Sequence, residues 1–172
     1  MDTTGVNTGA LLALLVLAAW QDARHYRIAN VLTFGGAVLA LGLSFLLPGT
    51  PGPVSSLLGW GAGLLFLLPL YALGVMGAGD VKLLAMVGAF TGPAAVLVIG
   101  LYTLLAGGLL ALGVALGRGR LQQALRNLQS MMVLSVALVS PALPDEKASA
   151  GRMPYGIAIL AGTVVWWWRA AA

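Results

Sequence analysis

The sequence predicts an all-α, polytopic membrane protein: a bundle of about six transmembrane helices with one amphipathic cytoplasmic helix. Three observations predict it. Of 172 residues, 60% are hydrophobic and only 8% are charged, whereas a soluble domain carries about 25% charged residues. Mean hydropathy is +0.97. The apolar residues also gather into runs separated by short breaks of proline, glycine and charge, as helices that satisfy their own backbone in lipid require.

Two classes drop out at once. The chain has no cysteine, so disulfides and thiolate metal sites are excluded. The net charge is +4, but the basic residues sit between apolar runs, where they set topology and do not form a phosphate-binding patch. The lipid bilayer is an expected partner and nucleic acid is not.

The elements follow in order. A first span is expected over residues 5–20; Asp2 and the lack of a basic leader argue that it is retained, not cleaved as a signal peptide. A second covers 31–47 and stops at Pro48-Gly49-Thr50-Pro51-Gly52-Pro53, a turn that cannot continue a helix. The third runs over 54–73. Asp80 opens a short fourth segment ending at Phe90, broken by Thr91-Gly92-Pro93. The fifth covers 93–116 and the last 154–168. A span needs about 20 residues, so the fourth must recruit residues before Asp80 or lie where the membrane is thinned.

Residues 117–152 form the long polar stretch. Within it Leu121, Leu125, Leu128, Met132, Val136 and Val139 recur at spacings of three and four, the signature of an amphipathic helix on the membrane surface. The whole of 1–172 reads as a single membrane-embedded domain. With six crossings and the N-terminus outside, Arg24, Arg27, Lys82, Arg118, Arg120, Arg126, Lys147 and Arg152 are cytoplasmic, and Arg169 alone is outside. That bias fixes the orientation. Trp166-Trp167-Trp168 then anchors the outer interface.

The same topology carries two acids to one depth. Only five Asp or Glu occur, and Asp22 and Asp80 are the two that flank apolar segments closely. Ionisable groups at membrane depth are costly, and are functional candidates by default. Two carboxylates that meet can share one proton and activate a water. Asp80, at a helix N-terminus, is expected to ionise more readily than Asp22, at a helix C-terminus. Gly77 and Gly79 remove side chains around Asp80, so an extended backbone can approach closely. Lys82 either eases the negative charge or anchors the helix end. The bland alternatives are an Asp22 paired with Arg24 or Arg27, a solvated His25, a helix-start proline at Pro154 and an interfacial Tyr155. No zinc-protease, serine-elbow, P-loop or dinucleotide motif occurs, and no cofactor or metal is expected.

Gly77-Ala78-Gly79-Asp80-Val81-Lys82 resembles the second active-site motif of the type IV prepilin peptidases, membrane aspartyl proteases. Asp22 through Asn30 resembles the first, with Ala29 where that family usually has proline. Arg152-Met153-Pro154-Tyr155-Gly156 resembles the opening of its last helix. The length is that of short members serving Tad/Flp-type pili, without the cysteine-rich and N-methyltransferase-linked region. The resemblance implies an aspartic endopeptidase of the bacterial inner membrane, acting at the cytoplasmic face. Its implied substrate is a pilin precursor with a short basic leader, cut after a glycine. Asp22 and Asp80 would be catalytic. Gly77, Gly79, Lys82, Asn30, Arg152, Pro154, Tyr155 and Gly156 would support the motifs or line the substrate groove. Two alternatives remain: a signal-peptide-peptidase-like protease, to which Pro141-Ala142-Leu143 is similar, and a non-enzymatic pilus-assembly or transport protein.

Overall fold

A computed structural model describes residues 3–117 and 154–171. Among them are six helices: α1 (Thr3–His25), α2 (Asn30–Leu46), α3 (Pro53–Ala72), α4 (Ala78–Thr91), α5 (Pro93–Gly117) and α6 (Tyr155–Ala171). The described residues are thus all-helical. The expected amphipathic helix over 121–139 lies outside them, as do Arg152 and the Pro141-Ala142-Leu143 triplet. Three helices are long and apolar enough to cross a membrane, over Gly5–His25, Pro53–Ala72 and Pro93–Val114, and Asn30–Leu46 is a shorter apolar helix. Side chains such as Val31, Val38, Phe45, Val54, Leu65 and Leu109 stay exposed on the outer faces, as lipid contact requires.

The boundaries move most at the two segments that carry acids. α1 does not stop near Trp20 but runs on to His25, which puts Asp22 inside the helix and not in a loop after it. α4 recruits only Ala78 and Gly79 ahead of Asp80. Its 14 residues rise about 21 Å, short of a bilayer core of about 30 Å.

That short helix is the centre of the bundle. From Asp80 to Phe90 every residue except Lys82 is buried, and α4 touches all five other helices, α3 most extensively. Small residues make this possible, because lipid gives helices no hydrophobic reason to associate and close packing must supply it. A Cβ on Gly59 of α3 would collide with the Gly88 carbonyl oxygen of α4, and one on Gly63 would lie 2.6 Å from the Leu84 carbonyl oxygen. Ser56 adds a buried hydrogen bond to the Ala89 carbonyl at 2.7 Å. At the far end of α4 the Asn7 amide donates to the Phe90 carbonyl at 3.2 Å. α6 packs against α5 and α1, which closes the bundle beside the acids.

Candidate active site

Asp22 occupies the last turn of α1. The helix ends at His25; the next residue, Tyr26, takes a left-handed φ of 51° and donates its N–H to the Asp22 carbonyl at 2.8 Å. The Asp22 side chain turns inward and is 5% exposed. Its Oδ2 accepts the backbone N–H of Gly156, in the first turn of α6, at 2.8 Å. Helix α6 comes this close because Gly156 has no side chain. A Cβ there would lie 3.2 Å from Asp22 Cβ and Oδ2, and 3.3 Å from Ala19 Cα.

Asp80 stands in the first turn of α4. Its N–H donates to the Gly77 carbonyl at 3.1 Å, and its Oδ2 accepts the Gly77 N–H at 3.2 Å. This reciprocal pair satisfies donors that a helix start otherwise leaves open. Asp80 is 9% exposed, with the Asp22 carboxylate nearby. The last turn of α1 and the first turns of α4 and α6 therefore meet at one end of the bundle, with the two acids between them. A cavity of about 540 Å³ lies elsewhere, lined by Asn7, Thr50, Phe90, Thr163 and Trp166 among others, and touches neither acid.

A family model, that of the type IV leader peptidase family, matches residues 9–112. The chain belongs to that family. No curated protein and no solved structure matches it. The matched stretch covers well over half of the 172 residues and includes both Asp22 and Asp80. It ends before α6, so the Gly156 contact is a product of the fold beyond the matched segment. Membership in the leader peptidase family implies a protease, and the apolar helices agree with a membrane-embedded one.

The remaining motif residues sort by what they touch. Of the two roles open to Lys82, the structure supports the anchor. Its Nζ donates to Asn30 Oδ1 at 3.0 Å and lies 5.3 Å from the Phe34 ring centroid, tying α4 to the start of α2. Gly79 faces Ile28, whose Cβ would be 3.3 Å from an added methyl. Gly77 is exposed at the mouth of α4. Pro154 precedes α6, and its carbonyl accepts the Ile157 N–H at 3.2 Å. The Tyr155 ring fills the space over Gly107 of α5.

One of the bland alternatives falls away and one expectation is revised. Asp22 is not paired with a neighbouring arginine: Arg24 lies over the Trp20 ring at 4.7 Å, and Arg24 and Arg27 are exposed. The ranking of the acids by helix ends is also incomplete, since Gly156 brings the N-terminus of α6 to Asp22. Each carboxylate thus holds one backbone N–H from a helix start. Sequence reasoning gave no role to Gln21, whose Oε1 accepts the Ala29 N–H at 3.1 Å. Its one signal was a polar side chain directly before Asp22 in an apolar helix.

Proposed function

We propose that this protein is a membrane aspartyl endopeptidase that removes the short basic leader from type IV, Flp-type pilin precursors. Asp22 and Asp80 are its catalytic pair. The observation that carries the reading is the meeting of these two buried carboxylates in a chain of the leader peptidase family.

Neighbouring buried carboxylates do not both ionise readily, and in this scheme the pair shares one proton. The ionised member takes a proton from a bound water as the water oxygen attacks the scissile carbonyl carbon. The protonated member donates to the carbonyl oxygen, giving a neutral tetrahedral diol. Collapse breaks the C–N bond: the member that now carries the proton donates it to the leaving amine, and the other takes a proton from a diol hydroxyl as the new carboxyl group forms, which restores the shared-proton state. Backbone N–H groups from Gly156 and Gly77 hold the two side chains in place. No metal or cofactor enters this scheme.

The substrate reading rests on chemistry and topology together. Six crossings with the N-terminus outside put eight of the nine basic residues and both acids on the cytoplasmic side. The leader junction of a single-helix pilin precursor lies at that face. The exposed Gly77 leaves room for its extended backbone beside Asp80. Detergent-purified protein incubated with an Flp-type pilin precursor is expected to release the leader, and Asp22→Asn and Asp80→Asn are expected to stop it. Unchanged processing by both folded Asn variants would return the non-enzymatic scaffold to first place.

A further inference from the structure

We propose that Gln21 is a positioning residue for the acid pair, acting through the corner between α1 and α2. The proposal rests on the peptidase reading for its effect on turnover, but its structural part stands alone. Gln21 Oε1 accepts the Ala29 N–H at 3.1 Å, which ties the last turn of α1 to the residue that begins α2. Ala29 is the N-cap of α2 and offers no side-chain cap. Between the helices, residues 27–29 are neither helix nor turn, and Tyr26 holds a left-handed φ of 51°. An extended corner of this kind has few internal bonds, so one side-chain bond across it limits its freedom.

What the corner carries explains why that matters. Ile28 packs on Gly79, and Asn30 accepts the Lys82 ammonium at 3.0 Å. Gly79 and Lys82 bracket Asp80 on α4. Gln21 is the residue before Asp22 on α1. The corner therefore links the two catalytic turns by a second route, separate from the carboxylates. If its path shifts, the first turn of α4 shifts against the last turn of α1, and a displacement near 1 Å can cost about a hundredfold in rate.

Ala29 supplies an internal test. Its φ of −66° and ψ of 132° suit proline, whose ring fixes φ near about −65° and removes the N–H. Ala29→Pro would stiffen the corner in its native path and leave Gln21 nothing to accept. The effect of Gln21 should then vanish in that background.

The experiment uses the full chain in detergent micelles, with Gln21→Met, Ala29→Pro and the double variant. An Flp-type pilin precursor gives kcat and KM, and amide hydrogen exchange reports on residues 26–30. Gln21→Met is expected to lower kcat on the order of tenfold, leave KM within about twofold, and speed exchange at the corner. The double variant is expected to match Ala29→Pro alone in both readouts. Unchanged kcat and exchange in Gln21→Met would overturn the proposal. So would a loss that persists in full in the double variant, which would place Gln21 on the substrate. If exchange behaves as expected but no form, wild type included, cuts the precursor, Gln21 stands as the clamp of the corner and the peptidase reading falls. If Gln21→Met does not fold, recovery of folded protein by Ala29→Pro supports the proposal, and failure to recover it counts against it.

Discussion

The backbone N–H of Gly156 donates to the Asp22 carboxylate at 2.8 Å, joining residues 134 positions apart. That bond sets the last turn of α1, which carries Asp22, against the first turn of α6.

Asp22→Asn and Asp80→Asn should each lower pilin-precursor cleavage at least about 10²-fold, the scale of lost acid–base catalysis. Both should stay folded, because the Asn side-chain oxygen still accepts from Gly156 or Gly77. Cleavage assays beside thermal unfolding in detergent check this. A folded variant with near-normal turnover would remove that acid from the mechanism.

Gly156→Ala tests the close approach of α6. Its methyl would press on Asp22 and on the Ala19 backbone at 3.2–3.3 Å, distances at which neighbours must give way. A destabilisation of about 1–2 kcal/mol is expected, with a loss of activity larger than stability alone explains. Wild-type activity in this variant would show that the contact is not needed for catalysis.

Lys82→Met should act on stability more than on chemistry. The ammonium is engaged by Asn30 and the Phe34 face, not by a carboxylate. A cost of about 0.5–1 kcal/mol is expected, and the pH–rate profile should keep its position. A displaced acid limb would mean that the cation does act on the acids.

Gly59→Ala should be the most disruptive of the helix-packing changes. Its Cβ collides with the backbone oxygen of Gly88, an atom that cannot rotate away. A loss of about 3 kcal/mol is expected, seen as low yield of folded protein. Gly61→Ala on the same helix has open space and should be tolerated, which separates packing from helix propensity.

Topology is tested by single cysteines in this cysteine-free chain. Val6→Cys and Arg27→Cys replace exposed residues at opposite ends of α1. The first should react only from outside the cell and the second only from the cytoplasm. The reverse pattern would invert the orientation and put the acids outside.

Composition and apolar runs were enough to determine a helical membrane protein, since lipid leaves the backbone few other choices. Proline and glycine breaks located α2, α3 and α5 to within a residue or two, because those residues end helices by local sterics. The rarity of acids singled out Asp22 and Asp80, as charge near a bilayer is seldom placed without use. Local signals could not reveal that α1 continues through Asp22, because a polar last turn of a helix and a polar loop look alike in sequence. Nor could they show that the short α4 is the buried centre, that Gly156 bonds to the Asp22 carboxylate, or that Gln21 bonds across the corner to Ala29. Those facts depend on which glycine faces which helix, a relation between distant residues that packing alone decides.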